Sequence, residues 1–306
     1  MITTLTGAND FARTAELEAR TMAFAQEYGE FAVERLDGEA ASADQMRAAV
    51  ESMPFLSERK LVVLRQPSAQ KDFAESIDAF LGAIPDATDV IIHEPKLDKR
   101  LNYYKTLKKR TDYQEFAELD ATGLSRWAVA YAAEHAGNLH AADARMLIDR
   151  LGASQQLLRS ELDKLLAYEP HITRQTIEAL TERTPQSTVF ELLDAAFAGN
   201  ATRAMALYKE QRALKVEPQA IIALLAWQLH ILALVCAGAP RPADEIARVA
   251  KLSPFVVRKS QRLAEKLSLA RIKTQVAQLL ELDKRLKTQS MDADEAVQLY
   301  LLRLAS

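Results

Sequence analysis

The sequence predicts an α/β unit built on a parallel sheet, followed by all-α units. Three observations carry this expectation. Gly and Pro number only 9 and 10 among 306 residues, about half their usual share, and a mostly β chain needs more turn residues than that. Ala and Leu number 52 and 42, and these residue types enter helices at least entropic cost. Five short β-like runs lie in the first 120 residues, spaced so that a helix fits between each pair, which argues parallel strands with helical crossovers.

The runs are ITTLT at 2–6, FAVERL at 31–36, KLVVL at 60–64, DVIIH at 89–93 and DYQEFA at 112–117. Between the first two, residues 11–28 are amphipathic. Ser42 with Gln45 three residues on forms a capping box that opens a helix over 43–53, with Met46, Ala49 and Val50 on its apolar side. Pro54 stops that helix. Beyond Gly123 no strand-like run stands out. Residues 125–136, 141–151, 154–168 and 173–183 read as short helices punctuated by Pro170 and Pro185. Longer ones follow at 187–198, 201–214, 218–237, 242–250, 254–266, 269–287 and 292–305, with Leu, Ile and Val at three- and four-residue spacing. This gives three units, 1–121, 122–185 and 186–306.

The longest apolar stretch, residues 220–238, is interrupted by Gln228 and His230, so it reads as a core helix and no membrane is expected. The chain opens MITTLTGAND, without the basic and apolar regions of a signal peptide. Its single cysteine, Cys236, can form neither an internal disulfide nor a Cys-pair motif. These features point to a cytoplasmic protein. The net charge is −3, but it is unevenly spread. Residues 1–50 carry 9 acids and 4 bases, residues 96–110 carry 7 bases and 1 acid, and residues 251–287 carry 10 bases and 3 acids. The basic stretches fit either solvated helix faces or a nucleic-acid-facing surface.

Catalytic patterns are missing. A phosphate loop needs several glycines, a Lys and a Ser or Thr. The turn after the first run is Thr6, Gly7, Ala8, Asn9, Asp10, with one glycine, no lysine and an added carboxylate. The third run is followed by Arg65 and Gln66 in place of a magnesium-binding acid. The five histidines are scattered, no HExxH or GxSxG occurs, and Cys236 sits in the most apolar helix, where a thiol is usually a packing residue. No intrinsic active site, bound cofactor or metal is expected.

Two segments hold candidate function. In ESMPFLSERKLVVL, residues 51–64, Phe55 and Leu56 follow the helix stop. They either seal the helix end onto the sheet or form an exposed apolar plug for a partner's pocket. In DEIARVAKLSPFVVRK, residues 244–259, the spacing of Ile246, Ala247, Leu252, Ser253 and Val257 fits either a DNA-binding helix-turn-helix or two ordinary bundle helices joined at Ser253 and Pro254.

Taken in order, these pieces resemble the delta subunit of the bacterial DNA polymerase III clamp loader. The resemblance begins at Leu5, Gly7 and Asp10, then runs through Met53-Pro54-Phe55-Leu56 with Arg59, Leu61 and Val62. It continues in Asp98-Lys99-Arg100 with Tyr104, Lys105 and Leu107, and in Glu161-Leu162-Asp163-Lys164-Leu165 with Tyr168, Ile172 and Thr173. Val189, Phe190, Glu191, Leu192 and Gly199, then Pro254, Phe255, Val257 and Lys259, and finally Asp283 and Lys287 complete it. One departure is His230, where Arg is expected. The resemblance implies an AAA+-like fold of α/β domain (1–121), helical lid (122–185) and helical collar (186–306). It implies a component of a DNA polymerase holoenzyme that does not itself hydrolyse ATP. Its implied partners are the β sliding clamp, which it binds and opens, the ATPase subunits (gamma/tau), delta-prime and, through the complex, primed DNA. The family's clamp-binding pair carries over to Phe55 and Leu56; DNA-contacting residues are not assigned. The alternative to clamp opening is a DNA-binding regulator using residues 244–259.

Overall fold

A computed structural model describes residues 1–55 and 57–306. The chain forms two compact units, Met1–Glu118 and Leu119–Ser306.

The first unit carries five parallel strands, β1 (Ile2–Thr6), β2 (Val33–Asp37), β3 (Lys60–Arg65), β4 (Thr88–Glu94) and β5 (Asp112–Glu115), in the order β2-β3-β4-β1-β5. The central strands are continuous apolar runs because both faces of the sheet are covered. Val62 and Leu64 of β3 with Val90 and Ile92 of β4 pack under helices Ala43–Glu51, Lys71–Glu75, Ile77–Gly82 and Asn102–Arg110. Their neighbours Leu61, Val63 and Ile91 point to the opposite face with Leu5 and Leu17, the last from helix Asp10–Tyr28. The period of two along each strand thus divides the core between two layers. Two expected strands are shorter than their sequence runs. Phe31 and Ala32 belong to a 3-10 turn, Glu30–Ala32, that precedes β2, and Phe31 is 93% exposed. β5 ends at Glu115, with Phe116 still donating its N–H to Thr6 O as the last bond of the ladder.

The second unit is helical. Helices Ala121–Glu134, Ala141–Leu151, Gln155–Tyr168 and Arg174–Leu180 surround one apolar cluster that includes Leu124, Leu147, Leu158, Leu162 and Ile177. Two strands escaped the sequence reading: β6 (Asn138–Leu139) pairs in parallel with β7 (His171–Ile172). Each is two residues long, too short to show an alternation. Helices Pro185–Phe197, Ala201–Ala213, Pro218–Gly238, Ala243–Ala250, Pro254–Ala264, Leu269–Thr288 and Ala293–Leu304 share a second, larger cluster. Pro218–Gly238 is long and apolar enough to cross a membrane. Here it is the central helix of the bundle, with Ile221, Leu225, Leu229 and Leu232 buried and Gln228 bonded to Ser260 Oγ at 3.2 Å. His230 lies on its exposed side. The two clusters meet at Phe255, which grows from the bundle helix Pro254–Ala264 but is buried in the first cluster, so residues 119–306 hold together as one unit.

Candidate partner-docking site

Helix Ala43–Glu51 starts at the expected capping box: Ser42 Oγ accepts from Gln45 N at 3.2 Å and Gln45 Oε1 accepts from Ser42 N at 2.8 Å. It ends at Glu51, two residues earlier than expected, with Ser52 extended. The chain then makes a short excursion at the N-terminal edge of the sheet before entering β3. Met53 is 78% and Phe55 81% exposed. Sealing of the helix end is therefore not what Phe55 does. Leu56, the other member of the expected pair, lies outside the described residues.

The stems of this excursion are polar and tied down. Lys60, at the start of β3 and only 6% exposed, donates its ammonium to Ala49 O and to Ser52 Oγ, the latter at 2.6 Å. Arg59 bonds Asp89 at 2.8 Å, and the Met1 amino group bonds the same carboxylate. Ser57 Oγ donates to Arg59 O at 2.7 Å. Two large apolar side chains so exposed are candidates for burial against a partner.

The opposite, C-terminal edge of the sheet is where open α/β sheets take their ligands. Here it is filled by the chain's own side chains. Arg13, 3% exposed, comes from the first turns of helix Asp10–Tyr28. It donates to Gly7 O, to Asp10 and, at 2.9 Å, to His93 Nε2. Burial, with Arg13 and Arg65 adding to it, pushes the His93 pKa down to about 4. Glu94 is buried beside it, accepting from Ser68 N at 2.9 Å, Ser68 Oγ at 3.0 Å and Tyr103 OH at 3.0 Å. Burial raises its pKa despite those donors. Gly7 is required for a close contact: with φ +116 it lies against Phe116, whose carbonyl oxygen a Cβ would meet at 2.2 Å. Sequence reasoning noted Gly7 and Asp10 but missed Arg13. Its signal was position: Arg13, Leu17 and Thr21 are the buried stripe of their helix, an i, i+4, i+8 row in which a charged residue is out of place.

The helix-turn-helix candidate is a turn between Ala243–Ala250 and Pro254–Ala264, with Lys251 left-handed at φ 54. A recognition helix presents its N-terminal residues to base edges. This one turns them onto its own unit. Phe255 is buried, Lys259 Nζ sits 5.0 Å from the Phe190 ring and 5.9 Å from the Phe255 ring, and Arg258 bonds Asp120 and Asp244 at 2.6 and 2.7 Å. The start of this helix, which the regulator reading would present to DNA, is thus packed and ion-paired on its own unit. The basic stretch 96–110 is also partly spent internally: Arg100 pairs with Asp98, Lys99 with Glu115 and Arg110 with Asp78. Cys236 is half-buried, 3.6 Å from Leu267 O. Among the described residues no three His, Cys, Asp or Glu side chains gather as a metal-holding group.

Comparison with known proteins gives a consistent answer. Residues 13–117 match the family "DNA polymerase III, delta subunit", and residues 186–304 match "DNA polymerase III delta subunit, C-terminal domain". The DNA polymerase III subunit delta of Bacillus subtilis (strain 168) is 24% identical over 295 residues, covering 91% of this chain and 85% of that protein. The solved structure of the Bacillus subtilis DNA clamp loader delta protein superposes with a TM-score of 0.84 at 23% identity, covering 99% of this chain and 95% of that one.

Proposed function

From the premise that this chain belongs to the DNA polymerase III delta-subunit family, we propose that it is the clamp-opening subunit of its loader. In this reading Phe55, with Leu56, enters an apolar pocket on the β sliding clamp. The observation that carries it is the exposure of Phe55 on a base held by Lys60 and Arg59. Opening a ring needs no bond chemistry. It needs a ligand that binds the open or loosened state better than the closed one. Burying each of two large apolar side chains contributes roughly 1.5–3 kcal/mol, enough to bias a ring interface whose pocket changes shape between states.

The absence of a lysine from the phosphate turn and the internal occupation of that turn by Arg13 fit a subunit that leaves ATP hydrolysis to siblings. Those siblings are the gamma/tau ATPases, with delta-prime completing the ring and primed DNA as the substrate of the whole. Residues 122–185 then act as the lid and 186–306 as the collar that holds the subunit among its siblings.

The test is capture of the full chain by the clamp. Phe55→Ala with Leu56→Ala abolishes capture while the thermal unfolding profile stays that of the parent. Losing even ~2 kcal/mol weakens binding roughly 30-fold. Normal capture by the double variant sinks the docking reading.

A further inference from the structure

We propose that Lys60 is a positioning residue: it clasps the two stems of the Met53–Phe55 tip and so fixes the docking geometry before the clamp is met. This inference rests on the docking reading above and names what makes that site ready.

The last carbonyls of a helix have no partner inside the helix. Those of Ala43–Glu51 are answered from three directions. Ala48 O accepts from Ser52 N at 3.0 Å, Val50 O accepts from Thr88 Oγ1 at 3.3 Å, and Ala49 O accepts from both Ser52 Oγ and the Lys60 ammonium. A cation at this helix end is also favoured by the helix dipole. Lys60 is itself immobilised by the sheet, its N–H bonded to Ala87 O at 3.0 Å and its Cα in register with Thr88. Its bond to Ser52 Oγ, at 2.6 Å, therefore joins the residue that ends the helix to the residue that begins the strand. Ser52 and Lys60 thus close the base beside which Met53 and Phe55 stand exposed.

Packing alone does not call for a lysine here. Lys60 is buried at the head of the apolar run Leu61–Leu64. Burying an ammonium is unfavourable, and its pKa is pushed down accordingly. An aliphatic residue would fill the space at no such cost. What only a long donor supplies is the link from the sheet to Ala49 and Ser52. The tip it supports needs restraint, because Met53 and Phe55 would otherwise be free to fold against the protein's own apolar surface. A tip held ready binds without meeting that ordering cost again.

The test compares the full chain with Lys60→Met and Ser52→Ala. Hydrogen exchange of peptides spanning residues 49–59 is expected to quicken in both, with the rest of the chain unchanged. Clamp affinity falls about tenfold in Lys60→Met, a loss of the size expected when one or two side chains must be re-ordered on binding, and a few-fold in Ser52→Ala. Combining the two adds little, since each opens the same clasp. If Lys60→Met does not fold, Ser52→Ala carries the test alone. Parent-like exchange over 49–59, or parent-like clamp affinity with quickened exchange, overturns the inference. Phe55→Ala, measured alongside, separates this from the docking reading: if that variant keeps full affinity, the docking reading has failed, whereas weakened Phe55→Ala beside an unaffected Lys60→Met condemns the clasp alone.

Discussion

Replacing Arg13 by Met isolates what the side chain inside the phosphate turn does. In the parent, Arg13 supplies donors to the buried His93 Nε2, to the half-buried Gly7 O and to Asp10, whose carboxylate reaches solvent. Water can replace the guanidinium at Asp10 and in part at Gly7 O, but not at His93. Each buried acceptor left without a donor costs about 1–3 kcal/mol, and the methionine recovers part of this through apolar burial. The expected net loss is about 1–3 kcal/mol. A second effect is electrostatic. His93 is held neutral, its pKa at about 4, first by burial and next by the Arg13 charge. Because the unfolded imidazole titrates near 6.5, the unfolded chain binds the extra proton between those values. Stability therefore falls as pH drops from about 6.5 to about 4, by roughly 3 kcal/mol, and this contribution is flat outside that window. Removing the guanidinium raises the His93 pKa and flattens the slope. Urea unfolding of the full chain, followed by hydrogen exchange at β1 and β4 amides, reads the first effect, and an NMR titration of the His93 ring reads the second. A stability change under about 0.5 kcal/mol, or a His93 titration identical to the parent's, would refute the reasoning.

Three further outcomes follow from contacts elsewhere. Gly7→Ala places a methyl group 2.2 Å from Phe116 O at φ +116, so it destabilises by about 2 kcal/mol or more, measured by denaturant midpoint; a neutral effect would mean the turn yields. Asp294→Ala removes the acceptor of Tyr208 OH, at 2.7 Å, and of Arg212, at 2.8 and 3.1 Å, costing about 1–3 kcal/mol. The Arg212 and Tyr208 donors hold the Asp294 pKa below the usual range, so its contribution is present above the unfolded carboxylate pKa and is lost as pH falls toward the folded one; Asp294→Ala removes that acid-limb dependence from the thermal midpoint. Lys259→Met removes a cation from between Phe190 and Phe255, for about 0.5–2 kcal/mol, and quickens exchange in helix Ala141–Leu151, whose Asp149 O it bonds at 3.4 Å.

The sequence exposed those parts of the fold that repeat a local pattern. β3 and β4 were visible as unbroken apolar runs, and helix Ala43–Glu51 as a capping box followed by a proline. The pairing of Asn138–Leu139 with His171–Ile172 has no local pattern and arises only when their flanking helices pack. The joint at Phe255 was invisible for a related reason: an apolar residue at a helix start does not announce which of two cores it enters. The candidate site divided in the same way. An apolar pair after a helix stop was legible, but the contacts that tie down its flanks, Lys60 to Ser52 and Arg59 to Asp89, involve strands β3 and β4 and form only once the sheet is assembled. Arg13 went unread because its partners Gly7 and His93 come together only across the sheet.

The tip before β3 and the Arg13 cluster lie at opposite ends of the same parallel strands. A six-residue strand separates such ends by about 20 Å, with no shared side chain between them. Changes at sites that far apart add in free energy. The end where open α/β sheets take their ligands can therefore vary without retuning the end proposed to meet a partner. Arg13→Met combined with Lys60→Met is expected to show the sum of the separate stability losses, and the clamp affinity of the pair is expected to equal that of Lys60→Met alone.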